Sequence, residues 1–231
     1  MKKFFCVVLC GLMLTACCAC GNNGSDAGGN NGTTASQNNK PSDGDIEITL
    51  DNVMAHDVTP EEDFEIVPYY DEFAVSEYKG NDSIVVIPET IDGKKITGVY
   101  GYAFANDDSP SVRAVKLADS IERIGDSAFF NNETIEIVVC GKGLKTIETN
   151  AFGVCPSLKE LILNDGLESI GEYGISPQSS SLSELTVPDT VKDLEYLSLD
   201  GIKVIKGKAG SAAEEYVKSY PGLRMYFEAI E

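Results

Sequence analysis

From residue 84 onward the apolar positions follow one template at a near-constant step. Val112-x-x-Val115-x-Leu117, Ile135-x-x-Val138-x-Cys140, Leu158-x-x-Leu161-x-Leu163 and Leu182-x-x-Leu185-x-Val187 start 23, 23 and 24 residues apart. Each unit adds a second apolar pair three residues apart: Ile121 and Ile124, Leu144 and Ile147, Leu167 and Ile170, Val191 and Leu194. Three units carry Ala-Phe, at 103-104, 128-129 and 151-152. The alternation Val115-x-Leu117 predicts one short strand per unit with those two side chains inward. A single such coil cannot bury its own apolar side, so the units stack and the chain becomes a solenoid that presents a regular surface.

The period itself is that of a leucine-rich repeat, which predicts a β-rich solenoid with a parallel sheet along one face over residues 81-231. The flanks break the pattern and read as caps, which a solenoid needs to close its apolar ends and sheet edges. Over 46-80, alternating stretches at Glu47 to Leu50, Phe64 to Val67 and Phe73 to Tyr78 predict strands in an N-terminal β cap, with a hairpin turn near Tyr69 to Glu72. Asp92-Gly93 marks a tight turn in the first coil. At the other end, Ser211-Ala212-Ala213-Glu214 has the form of a capping box opening a short helix to about Tyr220, with Ala213, Tyr216, Val217 and Tyr220 on one face. Pro221-Gly222 stops it, and Leu223, Met225 and Phe227 alternate as a last strand.

The first residues belong to a different class. Lys2-Lys3 followed by the apolar run Phe4 to Leu14 is an export signal, too short to span a bilayer. It ends in Leu14-Thr15-Ala16-Cys17, which resembles the lipobox of bacterial lipoproteins; that resemblance implies residues 1-17 as signal and lipobox, with Cys17 carrying the lipid. An ordinary signal peptide cut nearby, leaving Cys17, Cys18 and Cys20 as thiols, is the competing reading. Residues 18-45 are rich in Gly, Asn, Ser and Thr, the composition of a flexible tether. A sorting motif or second hydrophobic segment is not seen, which leaves Cys17 as the anchor.

The formal net charge of −19 repels phosphate backbones and anionic headgroups. Nucleic acid is thereby disfavoured, and contact with the membrane is expected through the lipid anchor only. Of the seven cysteines, those at 6, 10, 17, 18 and 20 lie in or just behind the signal. Cys140 and Cys155 read as small buried hydrophobes, with a bridge between them left open. Cys17-x-x-Cys20 lacks a second ligand pair, so zinc is not expected.

Ile87-Pro88-Glu89-Thr90-Ile91-Asp92-Gly93-Lys94-Lys95-Ile96, the recurrent form Ile124-Gly125-Asp126-Ser127-Ala128-Phe129 and the closing Gly210-Ser211-Ala212-Ala213-Glu214-Glu215-Tyr216 together resemble BspA-type leucine-rich-repeat proteins, from about Thr59 to the C-terminus. The resemblance implies a bacterial surface protein, with adhesin-like binding of host or bacterial proteins and no catalytic motif. Two units depart from the pattern: Gly174-Ile175 stands where Ala-Phe is expected and is followed by the Ser-rich Pro177 to Ser181, and Glu195-Tyr196-Leu197 replaces Gly-x-x-Ala-Phe, so these later coils are expected to be looser on the convex side and not to serve the binding role the resemblance implies.

Strand alternation places an outward pair on every coil: Ile84/Val86, Ala114/Lys116, Ile137/Val139, Glu160/Ile162, Glu184/Thr186 and Val204/Lys206. An exposed apolar patch on a soluble domain often marks a partner site. Val86, Ile137, Val139 and Ile162 are therefore the expected centre of a protein-binding face, rimmed by Lys116, Glu160 and Glu184. The competing reading is that β-branched residues simply suit strands. Chemistry has little support. His56 is the one histidine, and the acids Glu61-Glu62-Asp63 and Asp107-Asp108 read as solvated; nucleotide-binding loops and nucleophile elbows do not occur. The expectation is a non-enzymatic, cofactor-free, lipid-anchored surface module that binds a host matrix, bacterial surface or envelope protein. A structural envelope lipoprotein is the alternative, and a carboxylate hydrolase a distant third.

Overall fold

The structure, a computed structural model, describes residues 47-105 and 112-231. The expected signal and lipobox with Cys17, the tether at 18-45 and the Asp107-Asp108 pair lie outside the described residues.

Each coil contributes a three-residue front strand from the Leu-x-x-Leu-x-Leu template and a two-residue back strand from the second apolar pair. In chain order the strands are β1 (Phe64–Tyr69), β2 (Glu72–Tyr78), β3 (Ile84–Val86), β4 (Thr90–Ile91), β5 (Lys94–Val99), β6 (Ala114–Lys116), β7 (Arg123–Ile124), β8 (Ile137–Val139), β9 (Thr146–Ile147), β10 (Glu160–Ile162), β11 (Ser169–Ile170), β12 (Glu184–Thr186), β13 (Asp193–Leu194), β14 (Val204–Lys208) and β15 (Tyr226–Ile230). The helices are α1 (Leu50–Ala55) and α2 (Ala212–Ser219). The back strands join in the order β1-β2-β5-β7-β9-β11-β13, parallel except for the hairpin β1-β2 and the side pairing β4-β5. The front strands form two parallel sheets, β10-β8-β6-β3 and β12-β14-β15, so the front layer is broken between β10 and β12 while the back layer continues through β11 and β13. This is the parallel-sheet solenoid the period predicts.

Between the layers lies one continuous core. Val115, Val138, Leu161, Leu185 and Ile205 point into it from the front strands, and Ile124, Ile147 and Ile170 from the back. The Ala-Phe dipeptides build a column at the ends of the coils. Phe104 stacks on Phe129 at 5.1 Å and 8°, and Phe129 on Phe152 at 4.9 Å and 11°, each fully buried. Offset-stacked aromatic pairs contribute about 1 kcal/mol beyond the area they bury, so the repeated phenylalanine sets the coil spacing as well as filling it. Coils also touch backbone to backbone: a Cβ on Gly141 would sit 2.0 Å from the Ala118 carbonyl oxygen, so this bend tolerates glycine alone.

The turn before β8, β10 and β12 is held by a side chain three residues ahead of the template. Asn132 Oδ1 accepts from the Ile135 and Thr134 amides while Nδ2 donates to the Phe104 carbonyl; Cys155 Sγ donates to Phe129 at 3.1 Å; and Ser179 Oγ donates to Leu158 and accepts from Leu182 N–H. Cys155 is thus a weak donor at a polar position of the repeat, as well as a buried small side chain. It and Cys140 are free thiols in the structure.

The ends depart in part from the sequence pattern. The hairpin β1-β2 turns at Tyr70-Asp71, as expected. The stretch Glu47 to Leu50 is not a strand: Thr49 Oγ1 accepts from Asn52 N–H and opens α1, with Leu50 and Val53 one helical turn apart. Four alternating residues do not separate a strand from the start of a helix. At the C-terminus α2 forms as expected, but neither bond of the capping box is made. Glu214 accepts from the Gly210 amide at 2.7 Å, whereas Ser211 makes no side-chain cap bond. Ala213 and Tyr216 are buried against the last coil with Val217 and Tyr220 packed beside them. The final strand begins at Tyr226, after a short 3-10 turn at Pro221–Leu223 and a left-handed Arg224.

Candidate functional site

The front strands are in register across the sheet, so the outward residues line up as the alternation predicts: Ile84 beside Ala114, Ala114 beside Ile137, Ile137 beside Glu160, and Lys116, Val139 and Ile162 in the parallel row. Burial divides this face in two. Strands β3 and β8 are buried at all three positions, whereas β10 and β12 show the exposed-buried-exposed pattern of a solvated sheet.

The cause is α1. Its Val53, with Ile48 and Leu50, packs on Ile84, Ala114, Ile137 and Val139 to make a second, small apolar cluster on the outside of the front sheet. Thr59 closes the near edge, its amide donating to the Val86 carbonyl and its hydroxyl accepting from Val86 N–H. Ile137 is 2% and Val139 8% exposed, and Val86 6%. The expected exposed centre is therefore corrected: Val86, Ile137 and Val139 face the predicted side but lie under a segment of the same chain. Lys116 is half-buried and donates to the Met54 carbonyl of α1. Of the seven expected residues, Glu160, Ile162 and Glu184 stand open; Ile162 is 40% exposed.

A cleft of about 430 Å³ lies beside Ile162, lined by Glu160, Leu163, Leu182, Glu184 and Lys206 among others. It marks the place where the front layer parts. At the other coil-to-coil steps a carbonyl just before one front strand accepts from amides of the next: Ser83 from Arg113 and Ala114, Arg113 from Glu136 and Ile137, Glu136 from Lys159 and Glu160, and Ser183 from Lys203 and Val204. Between Lys159 and Ser183 the ladder stops, and Ser183 N–H turns back to Ser181. The path from β11 to β12 is one residue longer than that from β9 to β10. An ion ladder ends at the same step. Glu136 takes a bond of 2.6 Å from Arg113 and one of 2.5 Å from Lys159, on the coils either side, and the next coil offers Ser183. Burial raises the Glu136 pKa, but the two cationic partners outweigh it and hold the carboxyl below its ordinary value. Across the gap Lys206 pairs with Glu184 at 2.6 Å and reaches Glu228 at 4.0 Å.

The remaining candidates have ordinary surroundings. His56 Nδ1 lies 3.0 Å from the Asp57 carbonyl oxygen. Burial pushes the thiols of Cys140 and Cys155 up to about 12, so neither is a nucleophile at neutral pH. Among the described residues no group of three or more His, Cys, Asp or Glu could hold a metal ion, and no helix is long and apolar enough to cross a membrane. A second cleft of about 340 Å³ sits at the hairpin tip, where Arg123 lies over the Tyr70 ring and Tyr69 donates to Glu148 at 3.3 Å.

Six copies of the repeat described as "BspA type Leucine rich repeat region" match residues 85–206. The chain belongs to the BspA-type leucine-rich-repeat family. The BspA-type repeats begin within β3 and end within β14, so α1 and the hairpin precede the region that defines the family. A leucine-rich-repeat protein of T. pallidum superposes with a TM-score of 0.59 at 26% identity, over 65% of this chain and 71% of that one. The pneumococcal vaccine antigen PcpA superposes at 0.52 with 18% identity, over 72% of this chain and 48% of that one. No curated protein matches the sequence significantly. BspA-type repeats are in general binding modules.

Proposed function

We propose that this protein is a lipid-anchored, surface-exposed module that binds a protein partner, in an adhesin-like role, through the open half of its front sheet. The observation that carries the reading is the exposed-buried-exposed pattern of β10 and β12 beside the cleft, where Ile162 stays solvent-exposed between Glu160 and Glu184. Apolar surface flanked by charge on a rigid scaffold favours association because little must be ordered on binding. Membership of the BspA-type family and the likeness to a pneumococcal vaccine antigen support an extracytoplasmic setting. Lys116, although held by α1, borders the same face. Cys17 at the lipobox supports anchoring through lipid.

The test is capture from host matrix proteins and from surface extracts of co-resident bacteria, using an immobilised soluble form without the lipid anchor, residues 18-231, beside its Ile162→Asp variant. A partner held by the wild type and lost by the variant supports the reading. Capture that survives Ile162→Asp, or capture only of envelope components of the producing cell, favours the structural envelope role instead. Antibody labelling of intact cells checks display at the surface, and labelling with fatty acid, lost in Cys17→Ala, checks the anchor.

A further inference from the structure

We infer that residues 47-55 are an in-cis occupant of the same binding face, and that the partner which uses this face carries a short amphipathic segment of matching chemistry, with branched aliphatic side chains at spacings like those of Ile48, Leu50 and Val53. This rests on the function proposed above and names the partner chemistry for it.

Four observations lead there. First, the surface beneath α1 is continuous in register with the open strands: Val139 is the parallel neighbour of Ile162, and Ile137 of Glu160. One sheet face is thus covered over its first half and bare over its second. Second, what α1 covers is separate from the main core. Ile48, Val53, Ile84, Ala114, Ile137 and Val139 form their own cluster outside the sheet, whereas Val85, Val115 and Val138 on the same strands belong to the solenoid interior. Lifting α1 therefore leaves the core packing of the coils in place. Third, the attachment is thin. A helix of six residues holds itself by little, and isolated helices so short are unstable in water. Across the contact Lys116 donates to the Met54 carbonyl at 3.3 Å, and Asp51, Asn52, Met54 and Ala55 are exposed. A few aliphatic side chains set against the ordering of nine residues make a local unit of low stability. Fourth, α1 lies before the region that matches the repeat family, so the repeats alone present the whole face.

A segment that seats on a sheet face through aliphatic side chains shows what the face accepts. A partner with the same spacing would engage Ile162 and the cleft first and gain Ile137, Val139 and Ile84 as α1 leaves. The same contact in cis suppresses association of the uncovered apolar face with other surfaces.

The probe is an acetylated peptide of residues 47-57, titrated by fluorescence anisotropy against the soluble form without the lipid anchor, residues 18-231, and against its Val53→Asp variant. The expected result is binding to Val53→Asp at least tenfold tighter than to the wild type, because the charge expels α1 from the site the peptide then fills. Equal binding to both, or binding to neither with the variant folded by circular dichroism, overturns the inference. Should Val53→Asp fail to fold, hydrogen exchange of the wild type decides. The Asn52 and Val53 amides are expected to exchange at least 100-fold faster than those of Leu117 and Cys140; equal protection makes α1 a permanent part of the fold. Partner capture that depends on Ile162 while α1 proves permanent leaves the proposed function standing without this inference.

Discussion

The two halves of the front layer share one template and one strand length, yet they are different surfaces. In β3, β6 and β8 the outward side chains are Ile84, Val86, Ala114, Ile137 and Val139, with Lys116 at the margin, and α1 and Thr59 cover them. In β10 and β12 the same positions hold Glu160, Ile162, Glu184 and Thr186, and solvent meets them. The covered half takes small or β-branched residues that pack beneath a helix; the open half takes acids around one isoleucine. The contrast teaches that in a solenoid the period sets which way a side chain points, while its environment is set by whatever lies over the coil.

The sharpest way to break the comparison is to place one charge at two positions that are neighbours in register. Val139→Asp sets a carboxylate under α1 without a partner and is expected to release α1, at a cost capped by the local stability of that segment, about 2 kcal/mol. Ile162→Asp, at the open neighbour, is expected to stay within about 1 kcal/mol of wild type in the same urea titration. Similar costs at both sites would show that α1 does not cover Val139 in solution.

Trimming the cover is a milder test. Val53→Ala removes two buried methyl groups, about 1.5 kcal/mol of local stability, and is expected to raise exchange of the Asn52 and Val53 amides while leaving the main thermal transition of the coils nearly unchanged. Removing Ser180, an exposed residue of the lengthened stretch, restores the path of the preceding coil. The front ladder is expected to close between β10 and β12, with a rise in melting temperature of a few degrees, about 1 kcal/mol for a domain of this size, and weaker partner capture as the cleft narrows.

The smallest effects concern pH and thiols. Glu136, held below its ordinary pKa by Lys159 and Arg113 against its burial, contributes stability at neutral pH that is lost as pH falls through the glutamate range, below about 4.3. Glu136→Gln is expected to flatten that part of the acid limb in denaturant titrations run from pH 7 to 3. Cys140 and Cys155, with pKa values pushed up to about 12 by burial, are expected to react with a thiol reagent at neutral pH only on unfolding.

Much of this was legible in the chain. The 23-residue step, the alternation at Val115 and Leu117, the Ala-Phe column, the hairpin at Tyr69 to Glu72 and the apolar face of α2 were read from spacing alone, because each is a local periodicity that burial enforces. Other features left no such trace. Left-handed backbone recurs at Tyr102, Ser127, Asn150, Tyr173 and Leu197, with φ of 50° to 63°, yet most of these residues lack the usual preference for it; the stacked neighbours hold the turn. The departures at Gly174-Ile175 and in the serines after it pointed to loosening on the convex side of the later coils, whereas the opening lies in the front layer between β10 and β12. That arrangement, a front layer broken while the back layer remains paired, needed both layers to be seen together.

By itself the sequence determined the repeat, the strand positions, the inward and outward faces and the acidic character of the surface, since all of these follow from composition and from periods of two and about 23. Tertiary structure alone decided which outward residues meet water. Ile48 and Val53 lie far along the chain from Ile137 and Val139, and no local pattern reports that they touch. Apolar side chains on a sheet face look the same in sequence whether solvent or a helix lies above them, because both satisfy strand alternation and only the long-range contact removes their surface from water.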